Sequence, residues 1–168
     1  SYIIQPSPDG LAQAFILGEE FIGNDACAMI LGDNIFYGNG LADILKDAVK
    51  NAKDGQATIF GYQVKDPQRF GIMEFRKSTE GVSVIGVEEK PEKPKSDYAI
   101  TGLYFYPSGV STLAKQVKPS ARGELEITTL NNIYLEKGLL KGCLLGDGYT
   151  WFDTGTFNSL LDASNMIR

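Results

Sequence analysis

The stretch Ala26-Cys27-Ala28-Met29-Ile30-Leu31-Gly32-Asp33-Asn34 decides how the rest of the chain is read. Unbroken apolar residues over 26–31 predict a strand buried on both faces. Gly32-Asp33-Asn34 ends it with turn chemistry. Working upstream, Leu11, Ala14, Phe15, Gly18 and Ile22 recur at helical spacing, which predicts a helix over 11–22 opened by Gly10. Ser1–Ile4 reads as the end of another strand, stopped by Pro6 and Pro8. Downstream, Leu41, Ile44, Leu45 and Ala48 predict a helix over 41–53, and 57–64 predicts a strand. This alternation gives an α/β fold: a mainly parallel, Rossmann-like sheet with helices on both faces and right-handed crossovers.

The middle changes period. Strands over 70–76 and 82–88 form a hairpin across the turn 77–81, and 98–106 is an aromatic, β-branched strand. These make a small antiparallel insertion. Helices follow over 108–117, 125–137 and 156–168, with a short strand over 139–145. No composition shift divides the chain, so residues 1–168 read as a single domain.

Composition removes several classes of function. A net charge of −5 and a pI near 4.8 exclude a phosphate-backbone binder, so no nucleic-acid partner is expected. No apolar run approaches a membrane span. There is no histidine, which removes His bases and imidazole zinc sites. Cys27 and Cys143 sit in apolar runs without a Cys-x-x-Cys partner and read as buried free thiols, hence a cytoplasmic protein.

Five features could carry chemistry. Asp33 follows a buried strand, where α/β sheets place ligands; it is equally a turn residue. Asp153, in Trp151-Phe152-Asp153-Thr154-Gly155, is either a second site carboxylate or the cap of the last helix. Two hard carboxylates suit Mg²⁺ rather than zinc. Lys90 precedes Pro91, which predicts an extended backbone and a fixed ammonium, or else a solvated loop. Arg122 precedes a helix whose N-terminus favours an anion, or is a solvated turn residue. Gln5, followed by the rigid Pro6 and Pro8 and ahead of Gly10, offers a side-chain amide to a base edge.

Together these features resemble the glucose-1-phosphate thymidylyltransferase family of sugar nucleotidyltransferases. The resemblance rests on QPSPDGLAQA (5–14), LGDNIFYG (31–38), EEKP (88–91), YAITGLYFY (98–106), KPSARGELEIT (118–128) and WFDTGT (151–156). It implies thymidylyl transfer from dTTP to glucose 1-phosphate, giving dTDP-glucose and pyrophosphate, with Mg²⁺ as cofactor. It also implies homo-oligomers, tetramers in the family, and nucleotide-sugar supply for dTDP-rhamnose and cell-surface polysaccharide. Carried over residue by residue, Gln5 and Gly10 contact thymine, Asp33 and Asp153 hold Mg²⁺, Gly71, Glu89 and Ile100 line the glucose site, and Lys90 and Arg122 grip the sugar phosphate. Phe70 stands where the family has Tyr, and Thr129 where it has Asp. The family's Gly-Gly-x-Gly-Thr-Arg-Leu loop, which binds the triphosphate, is not in the sequence. The expectation is an N-terminally truncated fragment, inactive alone, holding the sugar half and both metal aspartates. Two alternatives stay open: a transferase for another nucleotide, and a non-catalytic sugar-phosphate module.

Overall fold

The computed structural model describes residues 1–79 and 81–166. In chain order the elements are α1 (Gln13–Leu17), α2 (Glu19–Ile22), β1 (Cys27–Ile30), β2 (Asn34–Gly38), α3 (Leu41–Lys53), β3 (Ala57–Gln63), β4 (Gly71–Ser78) and β5 (Gly81–Glu89). There follow β6 (Tyr98–Tyr106), α4 (Val110–Ala114), α5 (Ile127–Glu136), β7 (Leu140–Leu145), β8 (Tyr149–Asp153) and α6 (Phe157–Met166). The last two residues of the helix expected over 156–168, and Glu80 of the hairpin turn, lie outside the described residues.

The six-stranded sheet runs β5-β4-β6-β3-β7, with β1 also on β6. Strand β6 is its spine. One edge of β6 pairs with β3. The other is shared, with β4 at Ala99 and β1 from Leu103 to Tyr106. By direction, β1, β3, β4 and β7 run one way, and β5 and β6 run against them. The sheet is therefore mainly parallel in direction. The insertion reaches its centre, because β6 separates β1 from β3 and, among the described residues, only β3 and β7 are parallel neighbours.

Both faces of the sheet are covered, as period-two burial requires. Ile59, Tyr104 and Tyr106 face Phe15 of α1, Val110 of α4 and Leu130 and Tyr134 of α5. The alternate residues Phe60, Leu103 and Phe105 face Ala48 and Ala52 of α3. Helix α3 carries Asp43 in its first turn and Lys50 and Lys53 in its last, each opposite in sign to the nearby end of the helix dipole.

Several expectations change. Residues 1–4 form no strand and are exposed; no ladder partner supplies their hydrogen bonds. The expected helix over 11–22 is two short pieces that meet at Gly18, and it starts at Gln13, not beside Gly10. Strand β1 is not buried on both faces: its burial alternates and Ile30 is 61% exposed. Cys27 and Cys143 are free, but half-buried.

A separate two-stranded sheet was not foreseen. Strands β2 and β8 pair antiparallel, with Asn34 opposite Asp153 and Phe36 opposite Trp151. This ribbon lies over Ile72 and Ala99, with Trp151 buried between its strands and the main sheet.

Candidate active site

The ribbon solves a positioning problem. Asp33 and Asp153 are far apart in sequence, and the β2–β8 register makes them neighbours. Thr154 donates from its amide to the Asp33 carbonyl at 2.8 Å and from its hydroxyl at 2.7 Å, which locks the strand ends together. A Cβ built on Gly155 would lie 3.1 Å from Asp153 Oδ1 and 3.5 Å from Asp33 Oδ2. Glycine thus keeps open a space faced by two carboxylate oxygens. Among the described residues no third acidic, His or Cys side chain joins them to make a metal-binding group. Asp153 is not the cap of α6. Its Oδ1 accepts from the Gly155 amide at 3.1 Å, while the Thr156 hydroxyl accepts from the Ser159 amide at 3.2 Å.

Asn34 organises this corner, and its role was missed in the sequence. Its Oδ1 accepts from the Gly102 amide at 2.9 Å and from the Trp151 indole N–H at 2.6 Å. Its Nδ2 donates to Asp33 Oδ1 at 2.9 Å. A Cβ on Gly102 would sit 2.7 Å from the Asn34 amide, so β6 needs glycine there. The signal in the sequence was the polar Asn34 closing the apolar 26–31 run, and turn chemistry masked it.

A cleft of about 430 Å³ opens beside Asp153. Its lining includes Gln5, Gly10, Gly71, Glu89, Lys90, Ile100 and Arg122, so eight of the nine residues singled out in the sequence share it. Asp33 is exposed and is not among the lining residues. Tyr104, Thr128, Glu126 and Asn131 also line the cleft and were not singled out. A second hollow shares Glu89, Lys90, Arg122, Glu126 and Thr128, which form the wall between the two, and also contains Thr129.

Each wall residue has a local cause. Gly10 has φ +102°, and a Cβ there would lie 2.4 Å from the Leu125 carbonyl oxygen. Its glycine serves this close approach, reinforced by Leu125 N–H donating to the Asp9 carbonyl at 2.6 Å. It does not begin a helix. The Gln5 side-chain amide donates to Gln13 Oε1 at 2.6 Å and to the Gly10 carbonyl at 3.3 Å. Gly71 leaves room for Glu89 Oε2 and Thr128 Oγ1, each within 3.3 Å of where its Cβ would be. The Thr128 hydroxyl donates to that Glu89 oxygen. Phe70 packs edge-on against Trp151, with ring centroids 5.5 Å apart.

Lys90 corrects the sequence expectation. Its backbone has φ +42°, in the left-handed region, not the extended conformation that Pro91 favours. The amide still donates to the Phe70 carbonyl at 3.0 Å, so the chain turns sharply just as it leaves the β4–β5 ladder. Such strain concentrates at functional sites. The ammonium lies 3.9 Å from Glu89 Oε1.

Arg122 sits in a closed turn, where the Gly123 amide donates to the Ser120 carbonyl at 2.8 Å. Its guanidinium meets Glu126 at 2.8 Å, Glu124 at 3.2 Å and Glu89 at 3.6 Å. The Glu126 hydrogen bond raises the Arg122 pKa most; partial desolvation opposes it, and the charges of Glu126, Glu124 and Glu89 add to the rise. Glu126 is the residue before α5, but its side chain makes no hydrogen bond to the helix start and pairs with Arg122 instead.

The cleft therefore combines Asp153, which with Asp33 faces the gap at Gly155, a strained lysine, an arginine, and a Glu–Thr pair over a glycine floor. Such a set has the charges that phosphoryl or nucleotidyl transfer calls for. The chain belongs to the nucleotidyl transferase family, which it matches over residues 1–168. Within that family it is 56% identical over 168 residues to a glucose-1-phosphate thymidylyltransferase of Neisseria meningitidis, covering all of this chain and 57% of that protein. A Mycobacterium tuberculosis protein of the same name is 49% identical, and 56% of it is covered. The chain thus spans little more than half the length of these curated relatives. A Bacillus anthracis structure, provisionally assigned as a glucose-1-phosphate thymidylyltransferase and solved with a sucrose, superposes with a TM-score of 0.84 at 42% identity; the match covers this whole chain and 65% of that one. A UDP-glucose pyrophosphorylase with UDP-glucose superposes with a TM-score of 0.87 at 23% identity, which speaks for the fold.

Proposed function

We propose that this chain supplies the sugar-phosphate half and the metal aspartates of a glucose-1-phosphate thymidylyltransferase, as one partial nucleotidyltransferase domain. The observation that carries the reading is the gathering of eight of the nine expected residues in one cleft. The relatives' shared name, glucose-1-phosphate thymidylyltransferase, supports dTTP and glucose 1-phosphate as the substrates of this reading.

The attacking group is a phosphate oxygen, ionised at neutral pH, so the site needs no general base and a chain without histidine suffices. What it needs is positioning and charge neutralisation. Lys90 and Arg122 hold the sugar phosphate. Glu89, oriented by Thr128, accepts from hexose hydroxyls above Gly71 and beside Ile100. Gln5 and Gly10 form the wall toward the base. Asp33 and Asp153 fit a hard divalent cation, because their oxygens flank the gap at Gly155 and phosphate and water oxygens complete such a shell. Mg²⁺ bound there supplies charge neutralisation at the nucleotide phosphate.

Among the described residues no helix is long and apolar enough to cross a membrane. Our reading places the protein in the cytoplasm. Exposed Tyr37, Phe157, Leu160, Leu161 and Met166 supply apolar surface for self-association into a homo-oligomer.

Calorimetric titration of the chain with glucose 1-phosphate tests the reading. Binding is expected, with a loss of about tenfold or more in Arg122→Ala. Absence of binding to the folded chain, or unchanged affinity in Arg122→Ala, overturns it.

A further inference from the structure

Arg122 is surrounded by three glutamates, and they are not equivalent. Glu126 is a buried residue, and its side chain is 9% exposed. Its Oε1 accepts from Arg122 Nε at 3.2 Å and from Nη2 at 2.8 Å, and also from the Ser120 hydroxyl at 2.9 Å. Glu124 is exposed to 38% and touches only Nη2, at 3.2 Å. Glu89 is further away, at 3.6 Å, and already takes the Thr128 hydroxyl. Among the described residues, Nη1 has no hydrogen-bond partner.

The geometry points to Glu126 as a positioning residue: it clamps the Nε edge of Arg122 against the wall and turns the Nη end toward an anion in the cleft. The inference rests on the sugar-phosphate reading above. A guanidinium held by one edge loses little orientational freedom when its other edge meets a phosphate. Ser120 serves the same purpose from within the arginine's own turn: its hydroxyl donates to Oε1 and accepts from the Arg122 amide at 3.2 Å. Glu124 plays the contrary part. Being only half-buried and bound only to Nη2, it stands where a phosphate oxygen arrives and is the carboxylate a ligand displaces. Burial thus separates a permanent partner from an exchangeable one, although both are glutamates within one short segment.

This assignment predicts opposite outcomes for two variants that remove the same charge. Were the glutamates simply repelling the phosphate, Glu126→Gln and Glu124→Gln would both tighten binding. The clamp requires that Glu124→Gln tighten glucose 1-phosphate binding by about twofold to fivefold and that Glu126→Gln weaken it by about tenfold. In an Arg122→Lys background, which has no Nε edge to hold, Glu126→Gln should change affinity by less than about twofold. Titration calorimetry on the 168-residue chain reads all three, with thermal melts to confirm folding. If Glu126→Gln does not fold, Ser120→Ala keeps the charge and loosens the same oxygen, with an expected loss of about twofold to threefold. Binding unchanged or tightened in Glu126→Gln overturns the inference, as does an equal loss in the Arg122→Lys background, or unchanged affinity in Ser120→Ala where that variant is used. If the folded wild-type chain does not bind glucose 1-phosphate, the sugar-phosphate reading fails first, and the clamp falls with it.

Discussion

The indole N–H of Trp151 donates to the side-chain oxygen of Asn34 at 2.6 Å, joining two strands 117 positions apart in sequence. The same oxygen takes the Gly102 amide of the central strand, so one side chain ties the ribbon to the sheet. Asn34→Ala leaves both donors without an acceptor in a largely buried place. The expected cost is about 1–3 kcal/mol of stability, read from urea unfolding. Cation affinity should fall with it, because the same asparagine donates to Asp33. An Asn34→Ala variant of wild-type stability would show that the tie is not made.

Gly10 offers a sharper contrast. It combines φ +102° with a backbone contact that a Cβ would violate at 2.4 Å. Gly10→Ala should cost on the order of 3 kcal/mol from strain and overpacking together. Gly32 is the matched control, because it lies in a turn with nothing within 4 Å of its Cβ position and no positive φ. Gly32→Ala should stay within about 0.5 kcal/mol of wild type. Equal midpoints for the two variants in denaturant would remove the close approach at Leu125 as the reason for glycine.

Local pattern was enough to read α3 and β6, whose bounds match the expected 41–53 and 98–106. In α3 the helical spacing of apolar residues agrees with burial, and β6 was legible from its aromatic and β-branched composition, being buried almost throughout. The β2–β8 ribbon escaped because each strand is five residues long, mostly half-buried, and stabilised by a partner distant in sequence. No local window contains such a pairing. Lys90 was misread because a proline rule was applied without the β4–β5 ladder, which ends there and turns the chain. In the cleft, residue types with obvious chemistry were legible: Asp153, Glu89, Lys90 and Arg122. Residues that act by fixing others, such as Asn34, Glu126 and Thr128, were not, because their hydrogen bonds exist only in the folded arrangement.

The gap at Gly155 can be tested both by removing a carboxylate charge and by filling the gap with the charges kept. Asp33→Asn and Asp153→Asn should each weaken binding of Mn²⁺, a paramagnetic probe for Mg²⁺, by about tenfold or more with unchanged melting. Gly155→Ala should do the same, because its Cβ would stand 3.1 Å and 3.5 Å from the two carboxylate oxygens. Its backbone is outside the left-handed region, so alanine brings no strain of its own. Mn²⁺ relaxation enhancement that is unaltered in Gly155→Ala would place the cation elsewhere.

Alkaline pH should weaken the fold, and the sign follows from burial. Desolvation pushes the Cys27 thiol from 9.0 up to about 11. Burial likewise raises Cys143, Tyr104, Tyr106 and Tyr134; nearby acidic groups raise these further as lesser causes. Each of these groups is neutral when protonated, so the native state holds its protons to higher pH than the unfolded chain does. Above the unfolded values the native state binds more protons, and unfolding free energy falls as pH rises. For Cys27 the contribution is fully present below pH 9 and is lost progressively toward about 11; the tyrosines extend the decline from their ordinary value of 10.0 upward. Urea midpoints measured from about pH 8 to pH 11 should therefore decline, and Cys27→Ala should flatten the part of the slope that begins near 9. The slope is the readout, so a constant offset from the lost side chain does not disturb the comparison. A Cys27→Ala variant that declines in parallel with wild type across this range would mean that the Cys27 thiol titrates at the same pH in the folded and unfolded chains.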